Sequence, residues 1–110
     1  MSRALCRLDD IADPGAKGFV FGDGAAREEI FVVRQGGAVY GYVNSCPHQG
    51  TPLEFLDDRF LTADKTLILC STHGARFAIA TGDCVAGPCA GRSLRRVRVE
   101  IENGAVALTD

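Results

Sequence analysis

Two short segments hold both histidines of the chain, and each sets its imidazole close behind a thiol. In "NSCPHQGTPL", residues 44–53, Cys46 comes two positions before His48. In "LCSTHGARF", residues 69–77, Cys70 comes three positions before His73. A glycine follows each histidine within two positions, Gly50 and Gly74. A lone cysteine beside a strand is ordinarily a small buried hydrophobe, and a lone histidine is ordinarily a surface or hydrogen-bonded residue. Two thiolates and two imidazoles in two glycine-terminated knots are different, because they make a four-ligand set. A metal is what requires such a set in one place.

Zinc accepts Cys₂His₂ sets, but its knuckles usually pair like ligands, Cys with Cys and His with His, at gaps of a few residues. Here each arm supplies one of each, and only Pro47 separates Cys46 from His48. A dinuclear cluster accounts better for mixed arms. If each loop sends its cysteine to one iron and its histidine to the other, both loops clamp the whole cluster. Two histidines and two cysteines are the ligand composition of a Rieske 2Fe–2S centre. A zinc-stabilised Cys₂His₂ binding module without redox role is the alternative from another class.

The sequence resembles the Rieske family in three places. Cys46-Pro47-His48-Gln49-Gly50 is similar to its first ligand loop, and Cys70-Ser71-Thr72-His73-Gly74 to its second. "TGDCVAGP", residues 81–88, is similar to the third loop that covers the cluster. The likeness runs from about Val43 to Val99. It implies that Cys46 and Cys70 bind the inner iron and His48 and His73 the outer one. The 21 residues between His48 and Cys70 exceed the family's commonest spacing, and "LEFLDDRFLTADK" is read as an extended hairpin that absorbs the excess. Gly50 and Gly74 would let backbone N–H groups approach cluster sulfurs with no Cβ in the way. Pro47 and Pro52 would stiffen the first loop.

High-potential members of the family carry an extra cysteine in each ligand loop, a serine after the second loop's His-Gly, and a tyrosine two residues beyond. This chain has Thr51 and Ser71 or Thr72, then Ala75, then Phe77. Without those hydroxyl donors to stabilise the reduced cluster, the resemblance implies a low-potential, ferredoxin-type one-electron carrier. Its implied partners are a flavin-dependent reductase as donor and a terminal oxygenase as acceptor. Within the same chemistry, the alternative is the small Rieske-like subunit of an assimilatory nitrite reductase. The side chains around the histidines, Pro47, Gln49, Thr51, Pro52, Thr72 and Pro88, are uncharged. They suit the small, transient contact that redox partners make.

The elements that must position these loops read as strands. "VRVEIE" (97–102) alternates Val97, Val99 and Ile101 with charged residues, "NG" follows at 103–104, and "AVAL" alternates again. That pattern is a hairpin with a type I′ turn. "EIFVVR" and "AVYGYVN" flank "QGG" in a second hairpin leading to Cys46. "RFL" and "TLILC" flank "TADK" in a third leading to Cys70. Leu5, Leu8, Phe19 and Phe21 suit one or two opening strands around the Pro-Gly at 14–15. "DPGAKG" and "GDGAAREE" have room for one helical turn at most. Many short strands with frequent turns predict an all-β fold, a small antiparallel barrel or sandwich. Residues 1–110 are expected to form a single domain, with its cluster-binding part at about 43–90.

The chain has 110 residues, 46% apolar and 24% charged, with a net charge of −2. That balance gives no electrostatic case for nucleic acid as the main partner. No segment approaches the ~18 apolar residues of a membrane helix, and the first ten residues do not read as a signal peptide. The expected location is the cytoplasm, where thiols stay reduced. The odd count of five cysteines also argues against a full disulfide framework. Cys6 is read as packing. Cys84 and Cys89 are read as small apolar shields beside the site, with a redox pair as the other reading. Arg92, Arg95, Arg96 and Arg98 form either a docking patch for an acidic partner or the solvated face of a strand.

Overall fold

The computed structural model describes residues 2–21, 24–26, 28–45, 47, 53, 60–70, 74–89 and 91–109. The order along the chain is β1 (Ser2–Arg7), β2 (Gly15–Phe21), β3 (Glu28–Gln35), β4 (Ala38–Val43), β5 (Leu67–Leu69), β6 (Arg76–Ala78), β7 (Cys84–Ala86), β8 (Arg96–Val97), β9 (Val99–Glu102) and β10 (Ala105–Thr109). They form three antiparallel sheets, ordered β1-β10-β9, β2-β3-β4-β8 and β5-β6-β7. The fold is all-β, and of the two expected forms it is the sandwich-like one.

The middle sheet carries a core on each face. Residues of a strand alternate between faces. Accordingly Phe31 and Val33 of β3 join Tyr42, Phe60, Ile68 and Phe77 on one side, while Val32 joins Ile11 and Val106 on the other. This is why β3 reads as the unbroken apolar run Ile30-Phe31-Val32-Val33, buried throughout. The rings of Phe31 and Phe60 stack at 4.4 Å between centroids, joining the middle sheet to the segment that enters β5.

The expected I′ hairpin at 103–104 is present, and the hairpin at "QGG" turns in the same way. Asn103 and Gly104 have φ of 53° and 77°, and Gly36 and Gly37 have 63° and 82°, so both central residues of each turn lie in the left-handed region. The Asp13 carboxylate accepts the N–H groups of Gly36 and Gly37 at 2.9 and 3.1 Å, fixing the β3–β4 turn against the loop before β2. The third hairpin is also present: Leu61 bridges Ile68, Thr62 N–H donates to Leu67 C=O, and Leu69 N–H donates to Phe60 C=O, while residues 54–59 of its expected extension lie outside the described residues.

Two expectations need correction. Residues 97–102 are not one strand, because the run changes sheets at Arg98: Val97 pairs with Gly41 in the middle sheet and Val99 with Leu108 in the outer one. Gly41 makes the crossing possible, since a Cβ there would lie 2.8 Å from Val97 Cγ2 and 3.0 Å from Val99 Cγ1. Ile101 lies opposite Val106 yet stays 40% exposed, because β9 is the edge of its sheet. "DPGAKG" holds no helical turn, within the expected limit of one, since Gly15 already begins β2. The short 3₁₀ turns are Leu8–Asp10 and Gly24–Ala26, the second of them within "GDGAAREE" as expected.

Tyr42 ties the middle sheet to the third. Its ring is fully buried, and its hydroxyl donates to the Ile79 carbonyl at 2.5 Å. Burial disfavours the phenolate and pushes the Tyr42 pKa up to about 12. The folded state therefore prefers neutral Tyr42. That preference is intact below pH 10, the ordinary tyrosine value, and is lost as pH rises from there through about 12. Tyr42→Phe should destabilise the protein by about 1–3 kcal/mol at neutral pH, because the buried Ile79 carbonyl loses its donor. The same variant should show a flatter fall in stability above pH 10 than the parent. Urea unfolding followed across pH 7–11.5 checks both outcomes.

Candidate metal centre

The first motif is held at its two ends. Strand β4 stops at Val43, whose N–H donates to Arg95 C=O at 2.8 Å, and Asn44 N–H donates to Glu29 C=O at 2.9 Å. Asn44 is the one buried polar side chain among the described residues, and its Oδ1 accepts the N–H of Leu53 at 2.8 Å. Leu53 is itself fully buried in the large core. The loop thus leaves and re-enters the fold at one point, between residues 44 and 53. Within it, Cys46 and His48 lie outside the described residues, as do Gly50 and Pro52. The Pro47 carbonyl is described, and Arg92 Nη1 donates to it at 2.8 Å.

The second motif begins where β5 ends. Cys70 is fully buried in the core with Ala75, Phe77 and Cys89, and it makes no disulfide. Its N–H donates to Ala75 C=O and its C=O accepts from Gly74 N–H, both at 2.8 Å. These two bonds close residues 70–75 into a tight loop with Gly74 at φ +72°. His73 lies outside the described residues, with Ser71 and Thr72. Of the four expected ligands, Cys70 alone is described. Among the described residues, accordingly, no three His, Cys, Asp or Glu side chains converge.

The third loop lies flush on the second. A Cβ on Gly87 would sit 2.7 Å from Ala75 Cα and 3.3 Å from Gly74 O, so only glycine permits this approach. Backbone bonds hold the loop's base: Arg92 N–H to Cys89 C=O, Cys84 N–H to Arg92 C=O and Leu94 N–H to Gly82 C=O, each at 2.9 Å. Ser93 Oγ donates to Asp83 Oδ1 at 2.7 Å across the same base. Cys89 is core and Cys84 is partly buried against it, with its Sγ donating to Ala86 C=O at 3.2 Å. Neither forms a disulfide.

The arginine run divides. Arg92, Arg95, Arg96 and Arg98 are all exposed, but Arg92 reaches back to the first motif. Sequence reasoning missed Asn44, and it named Gly87 only within the third loop and Arg92 only as one of four arginines. Asn44 carried a usable signal, since an amide at the end of an apolar strand commonly bonds nearby backbone. Arg92 carried none that set it apart from its three neighbours. In the third loop, Val85 of β7 is 56% exposed and Pro88 is exposed.

The family model described as "Rieske [2Fe-2S] domain" matches residues 3–102. No curated protein matches the chain. Among solved structures, the chain is similar to the ferredoxin of carbazole 1,9a-dioxygenase from Nocardioides aromaticivorans IC177. That match has TM-score 0.76 and 26% identity, and covers 99% of this chain and 97% of that one. It is similar to the Sphingomonas yanoikuyae B1 ferredoxin with TM-score 0.71 and 27% identity, over 100% and 99% of the two chains. A structure titled as a complex of reduced oxygenase and oxidized ferredoxin in carbazole 1,9a-dioxygenase matches with TM-score 0.74 and 23% identity, over 98% and 92%. At that identity it speaks for the fold alone. Among the described residues, no helix is long and apolar enough to cross a membrane.

The packing of the third loop can be tested with two alanines. Gly87 and Gly91 have nearly the same backbone, φ +93° and +84°, but a Cβ at Gly91 meets nothing within 4 Å. Both substitutions carry the left-handed strain of roughly 1 kcal/mol. Gly87→Ala should cost about 1–3 kcal/mol more, the usual penalty for forcing atoms into a packed contact. Denaturant unfolding of the two variants measures the difference. Equal stabilities would mean that the two loops are not packed against each other.

Proposed function

Because the chain belongs to the Rieske [2Fe-2S] domain family, we propose that it is a ferredoxin-type one-electron carrier, with Cys46, His48, Cys70 and His73 holding one 2Fe–2S cluster. The observation that carries this reading is the near end-to-end likeness to two ferredoxins, with both chains covered at 97% or more. Residues 1–110 form one such domain on this reading, with the cluster-binding part at about 43–90. The proposed location is the cytoplasm, with a flavin-dependent reductase as donor and a terminal oxygenase as acceptor.

The described part of the site suits the cluster. Cys70 offers a thiol buried in the apolar core, and its N–H and C=O both bond within residues 70–75. The Asn44–Leu53 tie and the Gly87–Ala75 contact fix the neighbouring loops without using the ligands themselves. When bound, a 2Fe–2S cluster supplies one-electron chemistry, and four protein ligands leave no position for a substrate. The protein's task is then to hold a geometry that changes little as the charge changes, to exclude water on the Cys70 side, and to present the histidine side to a partner. The exposed Val85 and Pro88 of the third loop and the partly exposed Pro47 of the first offer uncharged surface, with the exposed Arg92 the charged group held at Pro47. This suits a weak, short-lived encounter.

Anaerobic reconstitution with iron and sulfide tests the reading. Two irons and two sulfides per chain, a visible spectrum that dithionite bleaches, and reoxidation by an oxidised terminal oxygenase in stopped flow are expected. A colourless protein that takes up one zinc and no sulfide would overturn it in favour of the structural module.

Ala75 and Phe77 are fully buried in the core that contains Cys70 and offer no hydroxyl. Ala75→Ser and Phe77→Tyr should each raise the reduction potential. A hydrogen bond about 1 kcal/mol stronger to the reduced state, at about 59 mV per tenfold for one electron, amounts to tens of millivolts. Protein-film voltammetry checks the direction. An unchanged potential with the cluster intact would mean that neither side chain reaches a cluster sulfur.

A further inference from the structure

Arg92 is the residue whose placement the fold specifies most fully and whose role the proposed function leaves open. Its backbone is fixed on both sides, N–H to Cys89 C=O and C=O from Cys84 N–H, at the base of the third loop. From there its side chain crosses to the first motif, where Nη1 donates to the Pro47 carbonyl at 2.8 Å over a sequence separation of 45 residues. Pro47 stands directly between Cys46 and His48. As an X-Pro segment it is already restricted in φ. A charged donor on its carbonyl adds one of the stronger kinds of hydrogen bond.

The geometry points to Arg92 as a positioning residue: its guanidinium holds the first ligand loop at Pro47 and keeps a fixed positive charge beside Cys46 and His48, favouring the reduced form of the site. The inference rests on the proposed 2Fe–2S reading. Two ferric ions, two sulfides and two thiolates with neutral imidazoles sum to zero charge, and adding one electron makes the site −1. A nearby cation stabilises that anionic state over the neutral one. Because the guanidinium is exposed, salt screens the charge effect but leaves the loop contact in place.

Three variants of the reconstituted full chain separate the effects. Arg92→Gln removes the charge and shortens the reach to Pro47, Arg92→Lys keeps the charge, and Arg95→Gln removes one exposed charge three positions further on. At a fixed poised potential and low salt, Arg92→Gln should lower the ratio of reduced to oxidised protein roughly fivefold. At about 59 mV per tenfold, that is a fall of ~40 mV. Arg92→Lys should recover most of it, and Arg95→Gln should stay near the parent. The gap should narrow in high salt. Loss of cluster from Arg92→Gln alone, with Arg92→Lys and Arg95→Gln loaded normally, would support the loop-holding role. If all three load fully with the parent's potential, or if Arg95→Gln shifts as much as Arg92→Gln, Arg92 has no special place and the inference is overturned. If the parent itself takes up no two-iron cluster, the proposed function fails, and this inference with it.

Discussion

The bond from the Tyr42 hydroxyl to the Ile79 carbonyl joins the two halves of the molecule that must meet at the site. Tyr42 belongs to the strand that ends at the first motif, and Ile79 follows the strand that leaves the second. The ring does further work, because Gly82 packs so close that a Cβ there would lie 2.7 Å from Tyr42 Cε1. Gly82 in turn accepts the N–H of Leu94, at the base of the third loop. One buried phenol therefore ties together the strands and the loop base from which all three loops spring. Its burial is possible because the hydroxyl has an acceptor; without one, a buried hydroxyl is a net cost.

The cross-ties around the site share a feature: each is made by a residue other than an expected ligand. Asn44 Oδ1 holds Leu53, Gly87 lies on Ala75, and Arg92 holds Pro47. A site that gains and loses a unit of charge benefits from supports that do not depend on that charge. On the proposed reading, such supports would leave the loops little need to follow the electron. This is how a fold keeps reorganisation small, with its site carried on elements whose own packing locks them.

Much of this was legible in the sequence. The hairpins announced themselves through Asn103-Gly104 and Gly36-Gly37, because I′ turns need left-handed residues at both central positions. The family was legible as a pattern of residue types, and the family model matches residues 3–102; the ligand set stays a proposal, since Cys46, His48 and His73 lie outside the described residues. What alternation could not reveal was the sheet change at Arg98. A strand that leaves one sheet for another keeps its period of two, so Val97 and Val99 look like neighbours in one ladder when they are not. Nor could composition single out Arg92 among four arginines. Its role comes from a contact 45 residues distant in sequence, and such contacts are set by topology.

The central claim is mixed ligation by two thiolates and two imidazoles. Pulsed EPR on the dithionite-reduced protein, with natural-abundance and ¹⁵N-histidine-labelled samples compared, tests it directly. The account predicts couplings from two histidine nitrogens bound to one iron, replaced by ¹⁵N couplings in the labelled protein. It also predicts that one set disappears in His48→Cys and the other in His73→Cys. A reduced two-iron signal with no histidine nitrogen coupling would contradict it, since that result describes a cluster held by cysteines alone.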